Sequence, residues 1–581
     1  MATWPVHVSR GGLALAAAGV LGIAALTGCG AGSGSTTATS AVNPSQAVLR
    51  IALAPGSELN WWPPLQSATN CGDLVGGGGA NGPNIYIPML NISSQDTIDY
   101  PLSIASGITV SNNDTTYTVH LRSNWTWSNG TPVTAADVVY DWDLIKAAAR
   151  PSSPIPYCFT GEGNVPQVMA SVTAAGPHTV VFTATSSVNP LWFEENALSQ
   201  IVPLPKAVWD KYSNLDQELQ WMNSISNAPT NPVYQVVDGP YRLASVKTDQ
   251  YWKFVANTHY TGPDKPKIDT IYYDYETSTS STYLALRKGS VDIASLPVTM
   301  YSSMKQIEGY HVTSEMGLVF YDLPLNFRAN AKGVGGLFNR LYVRQALQYG
   351  VNQKQIIQDL YHGTALTTYG PVPCVPKNAF CDPSLKNPYP FNIQKGRALL
   401  EQHGWRMQNG VLTKNGLQLA FPLTYASGND VNQNIAELLA ANWAQEGVKV
   451  TLDPISPASI GGIVGSPSES SKWAMTMSGW GYGPDYYPSG DGLFNTNAGY
   501  NIGGYSSTRM DQLIQETTQG GTAAEITSRF NAYSTFAATD LPVLWIPTPE
   551  GLWVVSNRVS GFEQNWNVIN QYTPDNMMGI K

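Results

Sequence analysis

Apolar and polar residues alternate along several segments of the first half of the chain, and such alternation is typical of β-strands. Strands are predicted over residues 48–54, 116–122 and 268–275, and apolar and polar side chains alternate in the second and third of these segments. Residues 171–184 have the pattern of a hairpin with a Gly-Pro turn, and residues 241–257 that of two strands around a polar turn. The first half is therefore predicted to be rich in sheet.

The second half contains longer periodic segments that predict helices. Helices are predicted over residues 352–362, 393–404 and 434–447, and each ends at or beside a glycine, which readily adopts the left-handed conformation that terminates a helix. Thr134 and Thr522 each have an acidic residue three positions later, and this spacing indicates a capping box at a helix start.

Residues 541–556 return to the pattern of a strand after these helices. Strands and helices alternate along the chain, so the fold class is predicted to be mixed α/β. Because strand patterns occur in the first half and again near the end, one lobe is predicted to be built from both ends of the chain.

The first 28 residues have the organisation of an export signal. Arg10 precedes an apolar run over residues 13–26, which is too short and too rich in glycine to be a convincing membrane span. The run is followed by the letters LTGC, which resemble a bacterial lipobox and make Cys29 the expected site of a lipid. An ordinary signal peptide with a chance cysteine is the alternative. Residues 29–46 are small and polar, which predicts a flexible tether.

Composition narrows the classes of function. The chain has 581 residues and a formal net charge of −9, and only 13% of its residues are charged. Nucleic-acid binding needs clustered lysine and arginine to neutralise phosphates, so this charge balance argues against a nucleic-acid partner.

Four cysteines remain besides Cys29, and an exported protein meets an oxidising environment in which they are expected to form two disulfides. Three pairings are possible. Cys374 and Cys381 flank a short loop, so a local bridge is the simplest interpretation, and Cys71 with Cys158 would then follow. Four free buried thiols are the alternative. The spacings are not typical of a zinc site, and no metal is predicted.

Three common catalytic motifs are absent from the sequence: G-x-S-x-G, H-E-x-x-H and the phosphate-binding lysine loop. Residues 77–82 formally match the dinucleotide pattern G-x-G-x-x-G, but no helix pattern follows them and they are predicted to form a turn. The protein is therefore predicted not to be an enzyme and to need no cofactor.

Several blocks of sequence, taken in order, resemble one family. The blocks are residues 117–142, 238–260, 284–297 and 339–357, followed by the loop GWGYGPDYYPSGDG at 479–492. They are similar to the extracytoplasmic solute-binding proteins of peptide-type ABC importers, the bacterial family 5. Each block alone is weak, but the resemblance covers nearly all of the chain beyond the export signal.

The resemblance implies a two-lobed fold of the periplasmic-binding-protein type (cluster C), with a hinged cleft between the lobes. The first lobe is expected to contain residues 47–297 and 547–581, with an inserted subdomain over about 90–185. The second lobe is expected to contain residues 298–546, and the two crossovers between the lobes fall at these boundaries.

The resemblance also implies a ligand site in the 479–492 loop. In the oligopeptide-binding members, an aspartate of this loop pairs with the α-ammonium group of the ligand, and Asp485 matches it here although two extra residues separate it from Trp480. A turn-capping aspartate is the alternative for Asp485, and subdomain core is the alternative for Tyr140. The expected ligand-binding residues are Asp485, Trp480, Tyr482, Tyr486, Tyr140, Trp61 and Trp62.

The function implied by the resemblance is the capture of peptides outside the cell. The protein would be held at the outer face of the cell membrane by a lipid on Cys29 and would act as a monomer. It would deliver its ligand to the permease and ATPase of an ABC importer. Two alternatives remain: the same fold with another cargo, such as nickel, haem, an opine or a sugar, and a surface receptor lipoprotein without transport.

The lipobox interpretation makes the first testable prediction. Cys29→Ser removes the thiol that would receive the lipid, so the variant is expected to appear in the medium or to remain uncleaved. Cell fractionation with mass measurement of the product checks this result. Recovery of the variant in the membrane fraction with the processed mass would contradict the lipobox interpretation.

Overall fold

The computed structural model describes residues 47–581 except residues 55–56, 58, 69–83, 485 and 497. Three residues singled out from the sequence, Cys29, Cys71 and Asp485, lie outside these described residues. Among the helices that the structure describes, none is both long enough and apolar enough to span a bilayer.

Strands in the described chain are numbered in order. They are β1 Val48–Ala52, β2 Ala105–Ser111, β3 Thr116–Leu121, β4 Met169–Gly176, β5 Thr179–Ala184, β6 Tyr241–Lys247, β7 Tyr251–Ala256, β8 Thr270–Asp274, β9 Ile293–Ser295, β10 Tyr310–Glu315, β11 Val319–Pro324, β12 Ala365–Leu366, β13 Arg406–Gln408, β14 Val411–Lys414, β15 Leu417–Gln418, β16 Ala420–Ala426, β17 Lys449–Ile455, β18 Met475–Thr476, β19 Ser478–Gly481, β20 Val543–Ile546, β21 Thr548–Pro549, β22 Gly551–Ser556, β23 Val559–Ser560 and β24 Gly579–Ile580.

Helices are numbered in the same way. They are α1 Ala135–Ala148, α2 Pro190–Trp192, α3 Lys206–Trp209, α4 Leu215–Ser224, α5 Thr279–Arg287, α6 Tyr301–Met304, α7 Leu341–Tyr349, α8 Gln353–Gln355, α9 Ile393–Gln402, α10 Asp430–Glu446, α11 Pro457–Val464, α12 Thr508–Thr517 and α13 Ala523–Asp540.

A seven-stranded sheet combines strands from both ends of the chain, in the order β10-β22-β9-β1-β8-β7-β6. The first strand, β1, lies between β8 and β9 and is parallel to both. The late strand β22 is antiparallel to both of its neighbours, β10 and β9. Residues far apart in the sequence therefore share one sheet.

The position of β10 corrects the first expected lobe boundary. β10 pairs with β22 over six residues, from Tyr310 to Glu315, so it belongs to the seven-stranded sheet and not to the second lobe. The boundary expected after residue 297 is wrong, and the chain leaves this sheet between Glu315 and Val319. A local pattern cannot reveal this, because the partner of β10 lies more than 200 residues away along the chain.

We call residues 47–315 and 551–581 the first lobe and residues 319–549 the second lobe. Inside the first lobe, β2, β3, β5 and β4 form a separate four-stranded sheet, and all four strands fall within the range expected for the inserted subdomain. Helix α1 packs on this sheet. The Asp137 carboxylate accepts hydrogen bonds from the backbone N–H and the hydroxyl of Thr134, so the predicted capping box is present.

The second lobe contains the antiparallel sheet β19-β11-β20 and the parallel sheet β17-β16-β18. Helix α10 packs on β17 and begins four residues earlier than predicted, because the Asn429 side chain caps it by accepting a hydrogen bond from the Asn432 N–H. The predicted strand over residues 541–556 is divided among β20, β21 and β22. β20 and β21 pair within the second lobe, whereas β22 pairs in the first. The chain thus returns to the first lobe at Glu550.

Cys374 and Cys381 form a disulfide with their Cα atoms 5.1 Å apart. The loop between them is also held by Asn378, whose side-chain oxygen accepts hydrogen bonds from the N–H groups of Phe380 and Cys381, both at 3.0 Å. Cys158 forms a disulfide as well. Cys71, its expected partner, lies outside the described residues.

The short disulfide loop leads to a prediction about stability. Replacing both cysteines by serine, Cys374→Ser with Cys381→Ser, is expected to lower the free energy of unfolding by about 2–3 kcal/mol, since a loop of this length loses that much chain entropy on closure. Denaturant unfolding of the two proteins without reductant measures the difference. An unchanged midpoint would show that Asn378 and its hydrogen bonds hold the loop without the bridge.

Candidate ligand-binding cleft

The sheet β19-β11-β20 reaches the first lobe and carries the start of the loop that the sequence singled out. β19 lies at the edge of this sheet and pairs with β11 in antiparallel register. Phe320 is opposite Trp480, and Tyr321 is opposite Gly479. Successive side chains of a strand point to opposite faces, so Phe320, Asp322 and Trp480 share one face while Tyr321 lies on the other.

Two glycines of β19 allow close packing against its backbone. A Cβ atom at Gly479 would lie 2.9 Å from the Tyr321 ring, and one at Gly481 would lie 3.0 Å from the side-chain nitrogen of Gln571. Gln571 belongs to the C-terminal segment of the first lobe. The glycines therefore let a tyrosine of the same sheet and a side chain of the other lobe approach the backbone of β19.

A cavity of about 390 Å³ opens on the Tyr321 face of the sheet, and we call it the Tyr321 cavity. Its walls come from both lobes, with Gln571 from the first and the rest from the second. They carry aromatic, amide and aliphatic side chains but no charged group. The lining residues are Val319, Tyr321, Tyr361, Asn432, Ile435, Met477, Ser478, Gly479, Trp480, Gly481, Ile546 and Gln571.

A second cavity, of about 250 Å³, lies on the opposite face, and we call it the Asp322 cavity. Most of the side chains in its walls are aromatic or aliphatic, and Asp322 is the one acidic residue among them. Trp480 borders both cavities. The lining residues include Phe320, Asp322, Trp480, Phe494, Tyr500 and Tyr505.

Asp322 is a buried acid without a partner in the described chain. It is 6% exposed, and its carboxylate neither accepts a hydrogen bond nor forms an ion pair with any residue that the structure describes. Removal from water disfavours the charged form, and this burial raises the pKa of Asp322 to about 8.

Polar contacts join the two lobes beside these cavities. The backbone N–H of Tyr487 donates to the side-chain oxygen of Asn196 at 2.8 Å, and the Asn196 amide donates back to the Tyr487 carbonyl at 2.9 Å. The Asn189 amide donates to the Tyr487 hydroxyl, and the Ser199 hydroxyl donates to the Pro484 carbonyl. The loop after β19 is thereby held against the first lobe.

A smaller cavity of about 60 Å³ lies where this loop meets the first lobe. Tyr486 borders it, and the Tyr486 hydroxyl donates to the side-chain oxygen of Asn570 at 2.7 Å. Asp141 lies on the opposite wall and accepts a hydrogen bond from the Val202 N–H, while burial raises its pKa. The space suits water molecules or a small part of a ligand.

Of the aromatic residues predicted for the site, Trp480 borders the Tyr321 cavity and Tyr486 borders the smaller cavity, and both of these cavities have walls from the two lobes. Tyr482 does not, and this prediction is corrected. Tyr482 is 1% exposed, its ring packs near Phe320, and its hydroxyl donates to the Pro371 carbonyl at 2.8 Å. These contacts with Phe320 and Pro371 place its ring inside the second lobe.

The predictions for Tyr140, Trp61 and Trp62 are also corrected, since all three are buried inside the first lobe. The Tyr140 hydroxyl donates to Glu218 of α4, so the ring belongs to the subdomain core. Trp62 stacks on Phe254 of β7. The indole N–H of Trp61 donates to the Leu65 carbonyl, and Trp61 lines none of the cavities described above.

Asp485 lies outside the described residues, so its predicted role stays a prediction. Residues 77–82, which match the dinucleotide pattern, also lie outside them. Across the part of the chain that the structure describes, no three His, Cys, Asp or Glu side chains converge in a way that could hold a metal ion.

Sequence reasoning missed Asp322, Tyr321 and Gln571. Asp322 did leave a signal, because it is the one acid within the apolar run LVFYDLPL over 318–325. Gln571 left none, since its side chain reaches β19 only after the chain has returned to the first lobe.

The comparison with known families decides the classification of this architecture. The family described as bacterial extracellular solute-binding proteins, family 5, matches residues 100–504, which is well over half of the chain. This chain belongs to that family. Its two-lobed fold is thus that of a solute-binding protein.

Individual relatives of this family 5 protein are distant but similar over most of their length. The oligopeptide-binding protein AppA of Bacillus subtilis is 21% identical over 476 residues, which cover 81% of this chain and 82% of AppA. The solved structure of AppA in complex with a nonapeptide has a TM-score of 0.74 at 18% identity and covers 93% of this chain and 100% of that chain. That likeness establishes the fold.

A relative with another cargo is similar over a shorter segment. The nickel-binding periplasmic protein of Escherichia coli is 31% identical over 224 residues, which cover 37% of this chain and 40% of that protein. The relatives of this chain thus include proteins named for different ligands, and similarity alone does not identify the ligand of this chain.

Proposed function

We propose that this family 5 protein captures extended peptides in the cleft between its lobes and delivers them to the permease and ATPase of an ABC importer. The observation that carries the proposal is the position of β19, at the edge of its sheet with a cavity on each face. An extended peptide can add to such an edge as a further strand.

Strand addition gives each of the two cavities a role in binding the side chains of the peptide. The backbone of the peptide would pair with β19, and its successive side chains would point alternately into the Tyr321 cavity and the Asp322 cavity. Backbone pairing gives affinity without requiring one sequence, whereas the cavities set which side chains fit. Gly479 is exposed and has no side chain, so it leaves room for an approaching strand.

The names of the relatives support a peptide as cargo. AppA of B. subtilis is described as an oligopeptide-binding protein, and its solved complex contains a nonapeptide. Both comparisons extend over more than four-fifths of this chain, whereas the nickel-binding relative covers 37% of it.

The proposal has a cellular part that rests on the sequence. Residues 1–28 direct export, and a lipid on Cys29 then holds the protein at the outer face of the membrane. The tether at 29–46 lets the lobes stand away from the bilayer and reach the permease. The protein acts there as a monomer that binds its cargo and catalyses no reaction.

Ligand-induced stabilisation tests the cargo. A peptide that binds the folded protein alone is expected to raise its free energy of unfolding by about 2.7 kcal/mol at a hundredfold excess over the dissociation constant. Thermal unfolding with a peptide library measures this shift, and Ni²⁺, haem and simple sugars serve as the other arms. Stabilisation by one of these arms, with none from any peptide, would contradict the proposed cargo.

Asp485 is proposed to pair with the α-ammonium group of the peptide. Removing one partner of a buried ion pair costs about 3–5 kcal/mol. Asp485→Asn is therefore expected to weaken binding by roughly two to three decades, at 1.4 kcal/mol per decade. Acetylating the peptide amine should weaken binding by the wild type to a similar extent, as isothermal titration calorimetry would measure.

The variant and the acetylation delete the same interaction, so the Asp485→Asn variant should be nearly indifferent to acetylation. Asp359→Asn is the matched control, since Asp359 is an exposed acid of the second lobe away from the cavities. Equal losses on acetylation in the wild type and in Asp485→Asn would assign the amine to another group.

A further inference from the structure

The two faces of the β11–β19 pair offer a ligand different chemistry. On one face, the Tyr321 cavity has neutral walls, with Asn432 and Gln571 as its polar amides. On the other face, the Asp322 cavity has one carboxyl group among aromatic and aliphatic side chains. The difference follows from neighbouring residues of one strand, because Tyr321 and Asp322 point to opposite faces.

No residue that the structure describes pairs with the acid in the Asp322 cavity. A buried carboxylate is unfavourable unless it is paired or hydrogen-bonded, yet Asp322 has no such partner among the described residues. The cations nearby along the chain are engaged elsewhere. Arg344 pairs with Asp540, and Arg328 donates to the Ile502 carbonyl. A cationic group of a ligand would supply such a partner.

The aromatic walls would favour the same ligand group. The Phe320 and Phe494 rings lie 6.4 Å apart, and the Trp480 ring borders the cavity from β19. The face of an aromatic ring attracts a cation, most strongly for tryptophan. A carboxylate together with these rings matches an ammonium or guanidinium group on an apolar stem, which the volume of about 250 Å³ can hold.

We propose that the Asp322 cavity binds a lysine or arginine side chain of the captured peptide, and that the Tyr321 cavity takes the neutral side chain next to it. This inference rests on the proposed function, because it assumes a peptide strand along β19. The protein would then prefer peptides with a basic residue at one defined position and a neutral residue on either side.

Matched peptides test this preference in calorimetry with the wild-type protein. An alanine-based heptapeptide carries either lysine or its uncharged analogue norleucine, at each position in turn. At one position, lysine is expected to bind at least tenfold more tightly than norleucine. If the lysine and norleucine peptides bind with equal affinity at every position, the inference is overturned and the proposed function still stands. No binding by any peptide would overturn both.

The variant Asp322→Asn connects the preference to this cavity. Asparagine has nearly the same shape as aspartate but carries no charge, so the variant should lose the tenfold gain of lysine over norleucine, with both peptides measured on the variant itself. Asp359→Asn, which removes an equal charge from the second lobe outside the cavity, should keep the gain. A lysine preference that survives in Asp322→Asn would place the cation elsewhere and overturn the inference.

A pH series on the wild type gives a readout that needs no variant. A bound cation favours the charged carboxyl, so lysine binding below about pH 8 should release a proton from Asp322. The other titratable groups lining this cavity are the phenols of Tyr500 and Tyr505, and the Arg344–Asp540 pair lies behind Tyr505. Affinity for the lysine peptide should rise by up to about tenfold per unit between pH 6 and 8, with the norleucine peptide unchanged. A flat series for both peptides would overturn the inference.

Discussion

The antiparallel pairing of β11 with β19 is the interaction on which the candidate cleft depends. It sets Trp480 opposite Phe320 and Gly479 opposite Tyr321, and it thereby decides which side chains line each cavity. A shift of one residue in this register would exchange the two faces, since side chains alternate along a strand. The charge of Asp322 would then lie in the cavity that also borders the first lobe.

The return of the C-terminal segment to the first lobe gives the cleft its second wall. β22 inserts between β9 and β10, so the chain crosses between the lobes twice, near residues 316–318 and at Glu550. The residues after β22 then supply Asn570 to the small cavity and Gln571 to the Tyr321 cavity. Two crossovers close together are the arrangement expected of a hinge, which allows lobes to close on a ligand.

The contacts across the cleft are polar and local, whereas the interior of each lobe is apolar. Asn189, Asn196 and Ser199 bond to the loop after β19 through side-chain atoms that water could also satisfy. Hydrogen bonds exchanged with water contribute only about 0.5–1.5 kcal/mol each. Such an interface can open at a modest cost in free energy, as capture and release of a ligand require.

The sequence by itself determined the local elements and the class of the fold. The capping boxes at Thr134 and Thr522 and the hairpin over 171–184 depend on neighbouring residues, and all three are present in the structure. The order of the family blocks, and the aromatic character of the loop that contains Trp480, could also be read along the chain. These features were predictable because their physical causes lie within a few residues of one another.

The tertiary structure decided what depends on partners distant in the sequence. β10 entered the first lobe because β22 pairs with it, and Trp62 became core because Phe254 of β7 stacks on it. Asp322 lacks a partner among the described residues because β11 turns it toward the cavity and because Arg344 pairs with Asp540 instead. Burial and pairing of this kind arise from contacts across hundreds of residues, and a local pattern of apolar and polar positions carries no record of them.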